Sequence, residues 1–421
     1  MRARPPSLAL VAISLVLAAG CTGGLWESPE GGTGQGSQSP VGVPGAPGRI
    51  AVLDELGNLT AFDADGSDPV VLDGSVPGET LVRQPTWSPD GARIAWVRLA
   101  AGETPAEVAT MAAADGTPAE VVTAAADGTG LTETPVAVAP FYLSWDPTSS
   151  RVAYLGNSGS IGIELGIVDV AGNEAVALDA GSPFYFSWNP SGRQMLVHVG
   201  TDQLDRLAID GTLAAVDDRP GIFNVPVWTS NGRTLVYATQ TGIGQRLVAY
   251  DLDTDRGEAL VRFDGAITFV VSPDGRRVAF QVVRGQTVVV PLSVLDRRTG
   301  AIERVETGPA VAFFWSPTST KLLSLIPELG GDRVSFRWGV WEGGSTFTTG
   351  RFVPSLEFSR EYLQFFEQYA QSMSLWAPDG SAFVYAGSNE SGETGIWIQP
   401  ASSGTPPVLV AEGVFASWSP A

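Results

Sequence analysis

One short element recurs along almost the whole chain and constrains its fold more than any other feature. The copies are Trp87-Ser-Pro-Asp-Gly91, Trp145-Asp-Pro-Thr-Ser149, Trp188-Asn-Pro-Ser-Gly192, Trp228-Thr-Ser-Asn-Gly232, Val271-Ser-Pro-Asp-Gly275, Trp315-Ser-Pro-Thr-Ser319, Trp376-Ala-Pro-Asp-Gly380 and the terminal Trp418-Ser-Pro-Ala421. Successive starts lie 58, 43, 40, 43, 44, 61 and 42 residues apart. Most spacings match the length of four short strands with their turns. Proline presets φ at the second turn position, the polar residue bonds the turn backbone, and the following Gly accepts positive φ, so the pentapeptide reverses the chain between two strands. A basic residue follows six positions after the start of the repeat (Arg93, Arg151, Arg277, Lys321) or five (Arg193, Arg233). Apolar residues then alternate, as in Ile94 and Trp96 or Val278 and Phe280. Period two means a strand with one buried face.

Eight such units predict an all-β chain, a β-propeller of eight four-stranded blades; seven also fit, because Val271 replaces a Trp and the last copy is cut short. That copy ends at Ala421 after an inner strand and turn. Gly48-Arg49-Ile50-Ala51-Val52 matches Gly91-Ala92-Arg93-Ile94-Ala95-Trp96 in its basic and apolar positions. The two chain ends are therefore expected to share one blade and close the ring, removing open sheet edges. The two long spacings have local causes. Residues 105–117 are nearly repeated in 118–129, and a non-repetitive insert occupies about 352–373.

In that insert Phe358, Tyr362, Phe365, Phe366, Tyr369 and Met373 recur at helical steps, with Ser359 placed as an N-cap and Glu361 in the first turn. This predicts one apolar helical stripe. It either packs down as a lid or presents Phe365, Phe366 and Tyr369 to a partner.

Before the repeats, residues 1–20 read as an export signal: Arg2 and Arg4 precede an apolar run from Leu8 to Ala19 that is too short to span a bilayer. The run ends Leu-Ala-Ala-Gly-Cys21, similar to the lipobox of bacterial lipoproteins, in which the first mature cysteine is lipidated. Cys21 is the only cysteine in 421 residues and so has no internal disulfide partner. Residues 21–47 continue as a Gly/Ser/Pro-rich tether, and 48–421 form the propeller. The expected location is extracytoplasmic, lipid-anchored at the outer face of the cell membrane or in a periplasm.

The repeat, over essentially all of 48–421, resembles the WD-like propeller repeat of the TolB C-terminal domain, also found in the propellers of tricorn protease and dipeptidyl peptidases. The resemblance implies a docking platform, gate or scaffold. The chain departs from TolB in having only a tether where that family has a separate N-terminal domain, and it lacks the peptidases' hydrolase domain.

Catalytic patterns are thin. The single histidine, His198, sits in a strand-like stretch, where a surface or lining position is expected; Gly156-Asn-Ser-Gly-Ser160 fails as a nucleophile elbow at its last position. Asp251, Asp253 and Asp255 resemble the start of a calcium loop, but Gly257 falls one place late and Arg262 stands where a bidentate glutamate belongs. These and Asp63, Asp65 and Asp68 read as strand-ending turns, so no catalytic residue, metal site or cofactor is assigned. A net charge of −20, deepening to about −22 once Arg2 and Arg4 leave with the signal, argues against nucleic acid and anionic lipid headgroups as partners. The expected function is a protein- or peptide-binding scaffold of the cell envelope, held to the bilayer through acylated Cys21. The competing expectation is a carbohydrate-active or other hydrolase or lyase using channel carboxylates.

Overall fold

The computed structural model describes residues 45–74, 80–100, 119–172, 174–216, 220–221, 224–241, 244–306, 308–328 and 334–420. Cys21, the signal and most of the tether lie outside them, as does the first copy of the 105–129 duplication. Over these residues the chain is a β-propeller of eight blades. Blade 1 is built from both chain ends: Phe415–Trp418 is its inner strand, followed outward by Arg49–Leu53, Leu59–Asp63 and Val70–Asp73. Ile50 pairs with Trp418 and Leu53 with Phe415, which closes the ring. The inner strands of blades 2 to 7 are Thr80–Trp87, Pro140–Trp145, Phe184–Trp188, Val227–Trp228, Ala266–Val271 and Ala312–Trp315, each heading an antiparallel meander. In blade 8 the inner position is held by Trp376, bridged to Phe383, with Ala382–Asn389, Thr394–Pro400 and Val408–Ala411 outside it.

The repeat Trp explains the spacing in physical terms. Its indole N–H crosses to the preceding blade and donates to the carbonyl just before that blade's own repeat position: Trp87 to Ser417, Trp145 to Thr86, Trp188 to Ser144, Trp315 to Val270 and Trp376 to Phe314, at 3.0–3.3 Å. Each ring is buried, so a large apolar surface and a satisfied donor tie every such seam. Two seams differ. Trp228 uses its backbone N–H, given to Ser187 Oγ at 2.8 Å, and Trp418 donates to Pro47 O at 2.8 Å.

All the Trp-x-Pro turns lie on one face, the turn face. The fifth position has φ near +70° at Gly91, Gly192, Gly232, Gly275 and Gly380, while Ser149 and Ser319 adopt φ of 58° and 60° there. The Asp-rich stretches are turns as well. Asp251 Oδ1 accepts the N–H groups of Asp253 and Thr254, and Asp65 Oδ1 those of Ser67. On the opposite face the insert leaves blade 7. Phe352–Pro354 pairs with both neighbours, Phe336 of blade 7 and Val353 against Ser388 of blade 8, which joins the two blades into one eight-stranded sheet. Gly387 permits this docking, because a side chain there would strike the Val353 carbonyl.

Candidate functional site

The insert does not form the helix that its aromatic spacing predicts. After Ser355 the chain takes a π-helical turn at Phe358–Tyr362, a 3-10 turn at Leu363–Phe365 and a single α turn at Phe366–Tyr369. The first turn is capped by Ser355, whose Oγ accepts the Phe358 N–H at 3.2 Å, not by Ser359. The reason lies in the tertiary contacts: the segment is shaped by the inner strands around it, which override the helical period.

Those contacts run around the channel. Tyr362 stacks on Phe415 of blade 1 with ring centroids 4.1 Å apart, Tyr369 packs edge-on against Tyr142 of blade 3, and Phe366 packs against Phe313 and Phe314 of blade 7. Tyr369 Oη donates to Phe141 O at 2.6 Å and meets Gln84 Oε1 of blade 2 at 3.0 Å. Gln368 grips the Phe186 backbone of blade 4 from both sides, accepting its N–H at 3.0 Å and donating to its carbonyl at 2.8 Å. Glu367 accepts the Phe269 N–H of blade 6 at 3.0 Å. Phe186 and Phe269 sit at the ladder positions whose N–H and C=O point away from the next strand, a parity set by the Asn189–Gln194 and Ser272–Arg277 bonds. Their free groups therefore face the axis. The insert is a plug that satisfies the open inner edges of several blades.

Phe366 and Tyr369 are consequently buried, and Phe365 alone of the three predicted contact residues is exposed, at 39%. As a shared docking surface the trio is not available; two members anchor the plug and the third points outward. Below the plug a polar cluster gathers. The Glu367 carboxyl, bonded also to the Asn224 side chain, is held up to about 8 because burial disfavours its charge. Burial, and after it the Glu367 carboxyl, raise the pKa of the Tyr185 hydroxyl. Asn224 O meets His198 Nδ1 at 2.9 Å, and Asn224 Nδ2 donates to Ile267 O at 2.5 Å. His198 is buried, not on the surface, and desolvation lowers its pKa. The cluster draws on blade 4, the approach to blade 5 and the plug, three segments far apart in sequence. The one available hint was an acid, Glu367, inside an aromatic run.

A second concavity, about 510 Å³, opens on the turn face between blades 3 and 4, beside Thr148, Arg151, Ser191, Arg193 and Asp210. Asp169 pairs with Arg151 at 3.4 Å, and Asp210 offsets Arg193, so the groove selects no sign of charge. Among the described residues no group of three or more His, Cys, Asp or Glu could hold a metal ion, and no helix is long and apolar enough to cross a membrane.

No protein-family model matches this chain, and no curated protein does. Among solved structures it is similar to a eukaryotic initiation factor at 10% identity and a TM-score of 0.54, covering 89% of this chain and 98% of that one. It is also similar to the β-propeller domain of the Trilobed protease from Pyrococcus furiosus, at 12% identity and a TM-score of 0.49 over 79% and 98% of the two chains. TolB from Acinetobacter baumannii aligns at 18% identity and a TM-score of 0.37 over 62% of this chain; this chain spans 64% of that TolB. Identities this low speak to fold alone, and the two TM-scores below 0.5 carry no argument.

Proposed function

We propose that the chain is an extracytoplasmic lipoprotein whose propeller is a binding scaffold for a protein or peptide of the cell envelope, anchored through acylated Cys21. The observation that carries this reading is the plug. It closes the channel from the face opposite the Trp-x-Pro turns and turns Phe365 outward, so recognition falls to a face, as in a platform, rather than to a substrate drawn down the axis. The carboxylate that the plug brings into the channel, Glu367, is engaged by Phe269 and Asn224, which weakens the competing hydrolase or lyase reading. The chain enters the propeller at Pro47 and Arg49, beside Trp418 and Ser419, on the turn face. A tether leaving there presents the plug face away from the membrane.

The test is a photo-crosslinking residue placed at Phe365 and, separately, at Asp253 on the turn face, in the full lipoprotein in intact cells, alongside Cys21→Ser. The expected result is a discrete adduct from position 365 only, and release of the Cys21→Ser protein from membranes. A protein that yields no adduct from either face, or that stays fully membrane-bound without Cys21, overturns the reading.

A further inference from the structure

The exposed large apolar side chains of the described residues are unevenly placed. Val71, Val176, Leu213 and Ile302 lie on outermost strands at the ring's rim, Leu131 is in a turn-face hairpin of blade 2, and Ile161 and Val289 stand singly on blades 3 and 6. Leu56 (70% exposed), Leu356 (58%), Val353 and Phe365 lie on the plug face instead. The backbone ties them to one sector. Val353 pairs with Ser388 of blade 8, the Ser355 N–H donates to Ala386 O at 3.1 Å, and Ser355 Oγ donates to Val414 O at 2.5 Å. The Val414 N–H in turn donates to Leu53 O, at the base of the hairpin that carries Leu56. Leu56, Val353 and Leu356 thus stand over the junction of blades 8 and 1, and Phe365 follows one helical turn after Tyr362, which stacks on Phe415 of blade 1.

The same junction is acidic. Glu55 is in the Leu56 hairpin, Glu390 and Glu393 are in the hairpin after Ala382–Asn389, and Glu412 is two residues before Val414. All four are exposed, and none forms an ion pair among the described residues. The nearby cations are largely spoken for. Arg83 pairs with Glu361 at 3.4 Å and Arg351 with Glu328 at 3.5 Å, which leaves Arg360 as the exposed cation of the insert. Apolar points flanked by carboxylates that form no ion pair complement a surface on which apolar and cationic side chains alternate.

Resting on the scaffold reading above, we infer that the blade 8–blade 1 sector of the plug face docks a cationic amphipathic segment of the partner protein, with Leu56, Leu356 and Phe365 taking its apolar face and Glu55, Glu390, Glu393 and Glu412 its Lys or Arg side chains. An anionic lipid surface is disfavoured by the same carboxylates and by the tether's exit on the opposite face.

The probe is a synthetic Leu/Lys amphipathic helix, with a Leu/Glu helix of the same pattern as its counterpart, titrated into the full mature lipoprotein in detergent. The Leu/Lys helix binds, the Leu/Glu helix does not, and binding weakens as salt is raised. Changing Glu55, Glu390, Glu393 and Glu412 together to Gln, or Leu56 and Leu356 together to Ser, lowers affinity by about tenfold or more. Neutralising Asp65, Asp127 and Asp253 on the turn face leaves it unchanged. Equal loss from the turn-face variant shows diffuse charge attraction and overturns the inference. If the Ser variant abolishes the cellular adduct from position 365 while the Gln variant leaves it intact, the scaffold reading stands and the cationic partner falls. If the wild-type protein gives no adduct at all, the scaffold reading itself falls.

Discussion

In the ring, each blade repeats the contact made by the one before it: Trp145, Trp188 and Trp315 all reach back to the same carbonyl position of the preceding blade. In the plug, Tyr362, Phe366, Glu367, Gln368 and Tyr369 each make a contact found nowhere else, every one with a different set of inner strands. The ring is held by a local rule applied again and again, and the plug by the end state of the whole. A repeat contact can be weakened in one blade and survive in the others, as Trp228 and Val271 show. The plug has no second copy of anything, so its residues divide sharply into those that cannot be lost and those that face solvent.

That division gives the largest expected effect. Phe366→Ala and Tyr369→Ala should each lower unfolding stability by about 3–5 kcal/mol, Tyr369→Ala also leaving Phe141 O and Gln84 without their partner. Phe365→Ala, at a half-exposed tip, should stay within about 0.5 kcal/mol of the wild type. Urea unfolding of the three variants measures this. A Phe366→Ala protein as stable as Phe365→Ala would mean that the plug does not pack into the channel.

A smaller effect comes from the acid under the plug. The folded protein holds the Glu367 carboxyl up to about 8, whereas the unfolded chain ionises it near the ordinary 4.5. Between those values the folded state keeps a proton that the unfolded state has shed, so this group's contribution to stability is complete below about 4.5 and is lost as pH rises to about 8. Glu367→Gln retains an oxygen for the Phe269 N–H and cannot ionise. Its melting temperature should exceed that of the wild type at pH 9, with the gap closing toward pH 4.5. A gap that stays constant across that range would show that ionisation of Glu367 is not its source.

The same contrast explains what could be read in advance. The turn chemistry, the alternation after each turn, and the likeness of Arg49-Ile50-Ala51 to Arg93-Ile94-Ala95 were enough to give a propeller of eight or seven blades with a shared closing blade, because each signal is local and recurs; the count of eight came from the structure. The insert was legible as an aromatic, non-repetitive segment but not in its conformation. Its period was fitted to a helix facing a flat surface, whereas the chain bends to meet the free backbone edges of Phe186 and Phe269, which no sequence pattern marks. His198 was legible only in part: its alternating strand says that it faces one side of a sheet, not that Asn224 and the Glu367 cluster lie against that side.

The smallest effect tests the ring's own rule at an exception. The fifth turn position needs positive φ, and Ser319 adopts it at 60° where Gly275 has 70° in the blade before. A side chain in that region costs roughly 1–2 kcal/mol. Ser319 offsets the strain by accepting the Asp274 N–H of blade 6 on its Oγ at 3.0 Å, a bond worth about 1 kcal/mol. Ser319→Ala keeps the strain and loses the bond, so it should destabilise by about 1 kcal/mol. Ser319→Gly also loses the bond but relieves the strain, less the extra freedom of glycine in the unfolded chain, about 0.5–1 kcal/mol. It should therefore lie about 1 kcal/mol closer to the wild type. At a position with negative φ the order would be reversed, alanine being the milder change. Thermal unfolding of the two variants decides the matter, and Ser319→Ala proving the more stable of the pair would show that the turn's backbone, rather than the seam bond, does not obey the rule followed by its glycine counterparts.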